Sequence, residues 1–249
     1  MDLKDPKNKA ELLQRVNDLC SDYANDLTAL ANDDRTYKRA ALLYYWLYDY
    51  RNYIRNEGKF AARYYPAFER GHVVNLNLGF NLGSEMGGLH YGIVLNNSNR
   101  RNPNLIIAPM TSVKPNRNLS QLRPTEVYLG AELYHMIKGK STALHISTTS
   151  EFKLLTKLLK EAAGNEKSAD MLRSRLEKVD AQIKLLTKTD HKLRVLKTGS
   201  IVEINQIRTV SKMRLVDPIN EYDILYGLKV SPAYMDKIDD AIRENLTGN

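Results

Sequence analysis

Gly71-His-Val-Val-Asn-Leu-Asn-Leu-Gly-Phe-Asn-Leu-Gly-Ser-Glu-Met-Gly-Gly-Leu-His-Tyr-Gly-Ile-Val-Leu95 sets a strand of period two, a glycine-rich polar loop and a second, apolar strand in direct succession. Val74, Leu76 and Leu78 alternate with Val73, Asn75 and Asn77, the pattern of a half-buried strand. Gly79, Gly83, Gly87 and Gly88 allow backbone paths closed to other residues. Between and just beyond them, Asn81, Ser84, Glu85 and His90 supply donors, acceptors, a carboxylate and a group that titrates near neutrality. These are the parts of a proton-transfer site. The same composition also suits a plain hydrated loop.

Outward from this stretch, the 249-residue chain has the 43% apolar content of a folded protein, enough for one large core or two small ones. Met1-Asp-Leu-Lys-Asp-Pro-Lys lacks an apolar signal core, and the longest apolar run, Ala40 to Tyr48, is too short to span a bilayer. A cytoplasmic protein with no membrane partner is therefore expected. The single cysteine, Cys20, falls on the apolar face of an expected helix and reads as a small buried hydrophobe. His72, His90, His135, His145 and His191 show no ligand-pair spacing, so no metal site and no cofactor are expected. Gly139-Lys140-Ser141 ends like a phosphate-binding loop, but Tyr134 stands where that loop needs its first glycine.

The net charge of +8 is uneven. Residues 71–149 carry 7 basic against 3 acidic residues and residues 150–196 carry 11 against 7, whereas the two ends are nearly balanced. An excess of this kind recruits a polyanion, and it also serves ordinary solubility.

Leu12, Val16, Leu19, Tyr23, Leu27 and Leu30 recur at helical spacing. Asp33 or Asp34 is expected to cap a second helix, which carries Leu43, Leu47, Tyr50 and Ile54 on one stripe and Tyr44, Tyr45, Trp46, Tyr48 and Tyr53 around it. Those aromatics read as core, although with Arg51 and Arg55 nearby they could stack bases. Pro66 closes this N-terminal helical region, residues 1–66. Residues 71–149 read as short strands, including Asn104-Leu-Ile-Ile-Ala-Pro-Met-Thr-Ser and Thr125-Glu-Val-Tyr-Leu-Gly130, followed by a helical turn near Ala131–Ile137. Phe152, Leu155, Leu159 and Ala162 then form one helical stripe, and Leu172, Leu176, Val179, Ile183 and Leu186 form a heptad seam, with Gly164-Asn165 between. Residues 150–196 thus read as an antiparallel helical hairpin that covers the site, pairs with its copy or docks a partner. Strand patterning resumes at Ser200, and Met235, Ile238, Ile242 and Leu246 mark a last helix behind Pro232.

Four segments in order, Gly71-His-Val-Val, Gly83-Ser-Glu-Met-Gly-Gly-Leu-His-Tyr-Gly-Ile-Val, Pro109-Met-Thr-Ser and Gln206-Ile-Arg-Thr-Val, resemble the motifs of the MazF/PemK family of toxin ribonucleases. The resemblance covers roughly residues 70–149 and 199–246. It implies an α+β fold: a small SH3-like β-barrel formed by residues 67–149 and 197–249, with N-terminal helices, the hairpin of residues 150–196 as an insertion, and a C-terminal helix. It also implies a metal-independent, sequence-selective endoribonuclease that cleaves single-stranded RNA such as mRNA by 2′-hydroxyl attack, as a homodimer with a cognate antitoxin. By the same resemblance Thr111 takes the place of the threonine that contacts the scissile phosphate, and Ser84 and Glu85 those of the loop serine and carboxylate. His90 is expected to transfer protons, with Asn81, Ser84, Ser112, Lys114, Gln206 and Arg208 on the substrate. Two departures stand out. His90-Tyr91 replaces the family's Arg-Pro, and His72 stands where the family has aspartate. The first exchanges a permanent fork of five donors for a better proton shuttle near neutrality. A non-catalytic RNA-binding module on the same barrel, and an adaptor working through its helices, are the competing readings.

Overall fold

The computed structural model describes residues 2–161, 166–196 and 199–248. It divides into two compact units, one of residues 1–59 with 79–82 and the other of residues 60–78 with 83–249.

The first unit is a pair of packed helices, α1 (Lys9–Asn32) and α2 (Tyr37–Glu57). Their connection is closed by the Thr36 hydroxyl, which donates to the Leu30 carbonyl at 2.7 Å, and by the Asp33 carbonyl, which accepts from the Thr36 and Tyr37 amides. Asp33 is therefore the C-cap of α1, and the residue entering α2 is Thr36, not the expected aspartate. α1 buries no residue and Cys20 is exposed, against the sequence expectation. The aromatic set divides: Trp46 stacks on Tyr50 at 5.4 Å and lies under Gly79, whereas Tyr44, Tyr45 and Tyr48 face solvent.

The second unit is a seven-stranded antiparallel sheet with helices against one face. Its strands are β1 (Val73–Asn77), β2 (Leu89–Val94), β3 (Asn104–Ser112), β4 (Glu126–Tyr128), β5 (Ser200–Glu203), β6 (Arg208–Ser211) and β7 (Leu215–Asp217), ordered β4-β5-β3-β2-β1-β7, with β6 also on β3. One edge of β3 is shared, Met110–Ser112 pairing with β5 and Asn104–Ile107 with β6. Because β6 and β7 are joined only by the turn Lys212–Arg214, the path β3-β2-β1-β7-β6 closes on itself in the manner of a small barrel.

This closure explains why β1 is buried on both faces where alternation promised one. Val74, Leu76, Leu78, Val94, Leu105, Ile107, Val210 and Leu215 fill the inside of the ring. Val73, Ile93, Met110 and Val202 face outward into a second cluster with Leu133 and Ile137 of α3 (Glu132–Glu161) and Met235, Ile238 and Ala241 of α5 (Pro232–Leu246). Each fully buried Leu or Ile contributes about 1.5–3 kcal/mol. Lys212, wholly buried in the closing turn, donates to the Asn99 carbonyl at 2.8 Å and lies over the Phe68 ring.

The helical pair begins earlier than its sequence suggests. α3 runs unbroken from Glu132, so the turn near Ala131–Ile137 and the stripe from Phe152 belong to one helix. It packs along α4 (Glu166–Val195), held by Arg175 and Lys178 on Glu151. The expected separator Gly164-Asn165 and the stripe's Ala162 lie outside the described residues. The heptad seam divides: Val179 and Leu186 are buried, whereas Leu176 and Ile183 are exposed.

Candidate active site

His90, on β2, and Thr111, on β3, come together because the two strands are antiparallel neighbours in which Tyr91 faces Met110. A pocket of 260 Å³ opens there, lined by Leu89, His90, Tyr91, Met110, Thr111, Ser112, Lys114 and Ser200. Leu133 and Leu196 complete the wall, so the base of the helical pair borders the pocket. Ser200 enters through the register of β5, which sets it opposite Ser112.

The His90 ring is fixed by Nδ1, 2.8 Å from the Met110 carbonyl oxygen. A carbonyl can only accept, so Nδ1 carries the hydrogen and the lone pair of the neutral ring lies on Nε2. Burial pushes the Tyr91 phenol up in pKa, against a hydrogen bond with Asn75 and with the help of the Asp217 charge. The phenol therefore keeps its proton at neutral pH.

The segment that carries Lys114 away from β3 is pinned at its far end. Glu126, buried, accepts from the Arg123 amide at 2.7 Å, from Arg123 Nη2 at 3.0 Å and from Arg117 Nη2. Arg123 also reaches Glu203 at 3.1 Å. Burial raises the Glu126 carboxyl, but the Arg123 hydrogen bonds and the charges of Arg123 and Arg117 outweigh it and hold the group low. For Glu203 burial prevails, and its pKa lies above the ordinary carboxylate value.

The glycine-rich loop is closed at its base by the Leu78 amide on the Gly88 carbonyl at 2.8 Å, with Gly88 at φ +83°. Its middle is held by Gln206 and Arg208. Gln206 Oε1 accepts from the Met86 amide at 3.1 Å and from Arg208 Nη2 at 2.8 Å, and Arg208 Nη1 donates to the Met86 carbonyl at 3.3 Å.

Residues 69–186 match the family model described as a PemK-like, MazF-like toxin of type II toxin-antitoxin systems. Over that segment, just under half of the chain, the protein is similar to the PemK/MazF toxins. No curated protein matches the chain. The matched segment spans β1 to β4, α3 and most of α4. β5, which brings Ser200, and Gln206 and Arg208 lie beyond it.

The expected residues fall into four groups. His90, Thr111, Ser112 and Lys114 share the pocket. Ser84 and Glu85 are exposed on the loop and do not line it, while Gln206 and Arg208 spend polar atoms on the loop backbone. Asn81 belongs to the first unit. His72, which stands where the family has aspartate, is half-buried beside β1, where its Nδ1 accepts from the Glu69 amide at 3.1 Å and burial lowers its pKa. Tyr91 and Ser200 were not singled out as site residues from the sequence. Tyr91 was visible only as a departure from the family's proline, and Ser200 depends on a strand register that sequence does not carry. Among the described residues no group of three or more His, Cys, Asp or Glu is placed to hold a metal ion. No helix among them is long and apolar enough to cross a membrane.

Proposed function

We propose that this protein is a toxin, a sequence-selective, metal-independent endoribonuclease acting on single-stranded RNA, including mRNA, through the RNA's own 2′-hydroxyl. The observation that carries the reading is the Nδ1 contact of His90 with the Met110 carbonyl, within the pocket that also holds Thr111, Ser112 and Lys114. It leaves Nε2 as the acceptor for the 2′-hydroxyl proton. The 2′-oxygen then attacks phosphorus, the bond to the 5′-oxygen breaks, and that oxygen takes a proton. In-line geometry sets the entering and leaving oxygens on opposite sides, so a second group is required, and the Tyr91 phenol is the donor we assign. The Lys114 ammonium and the Thr111 and Ser112 hydroxyls bind the phosphate oxygens and stabilise the charge that develops on them. Glu85 orients the RNA from the loop. The nucleophile is supplied by the substrate, which is why the reaction needs no metal.

In this reading the domain works as a cytoplasmic homodimer, restrained by the antitoxin that a type II system implies. We read residues 1–66 as an accessory helical region, residues 67–149 with 197–249 as the barrel domain, and the helical pair as an insertion into it. Incubation with a long unstructured RNA in chelator is the test. Fragments ending in a 2′,3′-cyclic phosphate and a 5′-hydroxyl are expected, with DNA of the same sequence left intact. Cleavage of the DNA would exclude the mechanism, and RNA bound but uncut would make the domain a non-catalytic RNA-binding module.

A further inference from the structure

We infer that Gln206 and Arg208 are positioning residues which fix the glycine-rich loop so that Glu85 is presented to RNA, where its carboxylate reads the N–H edge of a base. The inference rests on the ribonuclease reading above. Both neighbours of Glu85 are held by their main chain. The Met86 amide donates to Gln206 Oε1 at 3.1 Å, the Met86 carbonyl accepts from Arg208 Nη1 at 3.3 Å, and the Ser84 carbonyl accepts from Gln206 Nε2 at 3.4 Å.

The clamp is itself braced, because Arg208 Nη2 donates to Gln206 Oε1 at 2.8 Å and Arg208 Nε to the Gln206 carbonyl at 3.3 Å. Three donors of the guanidinium are thereby committed within the protein and withdrawn from phosphate binding. Glu85 stands exposed between its two clamped neighbours. The segment has glycines on both sides, with Gly83 at φ +56° and Gly88 at φ +83°, so without the clamp it would sample many conformations. A carboxylate only accepts hydrogen bonds and repels phosphate, so next to RNA it is suited to an amino or imino edge of a base.

Gln206→Leu and Gln206→Glu separate this from a merely structural role. Loss of the side-chain acceptor should speed hydrogen exchange of the Met86 amide about 10-fold or more, since exchange reports local opening. It should also lower kcat/KM on the order of 10-fold and broaden the choice of cleavage sites, with the pH profile unchanged because His90 is untouched. Gln206→Glu keeps the acceptor for Met86 and Arg208 and should restore most of both effects. Adding Glu85→Ala to Gln206→Leu should make cleavage no slower and no less selective than Glu85→Ala alone. Unchanged Met86 exchange in a folded Gln206→Leu protein overturns the clamp, and additive losses in the double variant overturn its action through Glu85. If the wild type cut no RNA, the ribonuclease reading and the role of Glu85 in it would fall together, while the Met86 exchange would still decide the clamp.

Discussion

Replacing Glu126 by glutamine perturbs the brace behind the pocket without changing its volume. The carboxylate accepts three hydrogen bonds, two on Oε2 from the Arg123 amide and Arg117 Nη2, and one on Oε1 from Arg123 Nη2. An amide in the better of its two orientations keeps the pair on one oxygen. It loses the third bond and turns an N–H₂ toward a guanidinium. A buried hydrogen bond to a charged group is worth about 1.5–3 kcal/mol, and Arg123, largely exposed, recovers part of its loss in water, so a net loss of about 2 kcal/mol is expected at pH 7. For a unit of this size that is a fall in Tm of about 4–8 °C.

The sign with pH follows from the lowered pKa of Glu126. A carboxyl held below its unfolded value, about 4.3, contributes its stability above that value and loses it as pH falls through the folded one. The gap between wild type and Glu126→Gln should therefore be full at pH 7 and close below about pH 4. Glu203, with its raised pKa, has the opposite sign, and because the Glu126 charge is one cause of that rise, Glu126→Gln also relieves part of it and narrows the gap slightly. Thermal melts of the two proteins from pH 3 to 8 provide the assay. A gap as large at pH 3 as at pH 7, or none at pH 7, would refute the reasoning.

Two further outcomes test the fold. Gly79→Ala puts a Cβ 3.0 Å from the indole of Trp46 at a backbone φ of +90°, and should destabilise the first unit by about 1–3 kcal/mol. The fluorescence of Trp46, the one tryptophan, should shift to the red, and an unaltered spectrum would count against the contact. Replacing residues 145–188 by a tight turn should leave a cooperative melt, because loop closure depends weakly on length. Removing all of 150–196 should not, because Leu193 and Leu196 pack against the outer core and Lys192 pairs with Asp217.

What the sequence disclosed was local. β1, β2 and β3 follow from alternation and apolar runs, whereas the meeting of His90 with Thr111 comes from the register of β2 on β3 and was left open by the sequence. α5 was announced by Pro232 and the spacing of Met235, Ile238 and Ile242. The continuity of α3 from the turn near Ala131–Ile137 into the later stripe was hidden because Ser141–Ser150 is crowded with poor helix formers. In the helix Thr142, Thr148, Thr149 and Ser150 each return their hydroxyl to the carbonyl four residues before, which satisfies them without breaking the turn. Cys20 was misplaced because an apolar stripe announces burial without announcing what covers it. The clamp on Met86 was illegible for another reason: it joins residues 120 or more positions apart, and only the closure of β6 onto β3 brings them together.

The central claim, that Nε2 of His90 takes the 2′-hydroxyl proton, is tested most directly by the pH–rate profile of RNA cleavage in chelator for wild type and His90→Ala. The wild-type rate should fall toward acid pH, as general-base catalysis requires. The variant, with an unchanged melting temperature, should be slower on the order of 100-fold or more, as is common when a general base is removed. A folded His90→Ala protein that cleaves at the wild-type rate from pH 5 to 9 would contradict the account and assign His90 to structure alone.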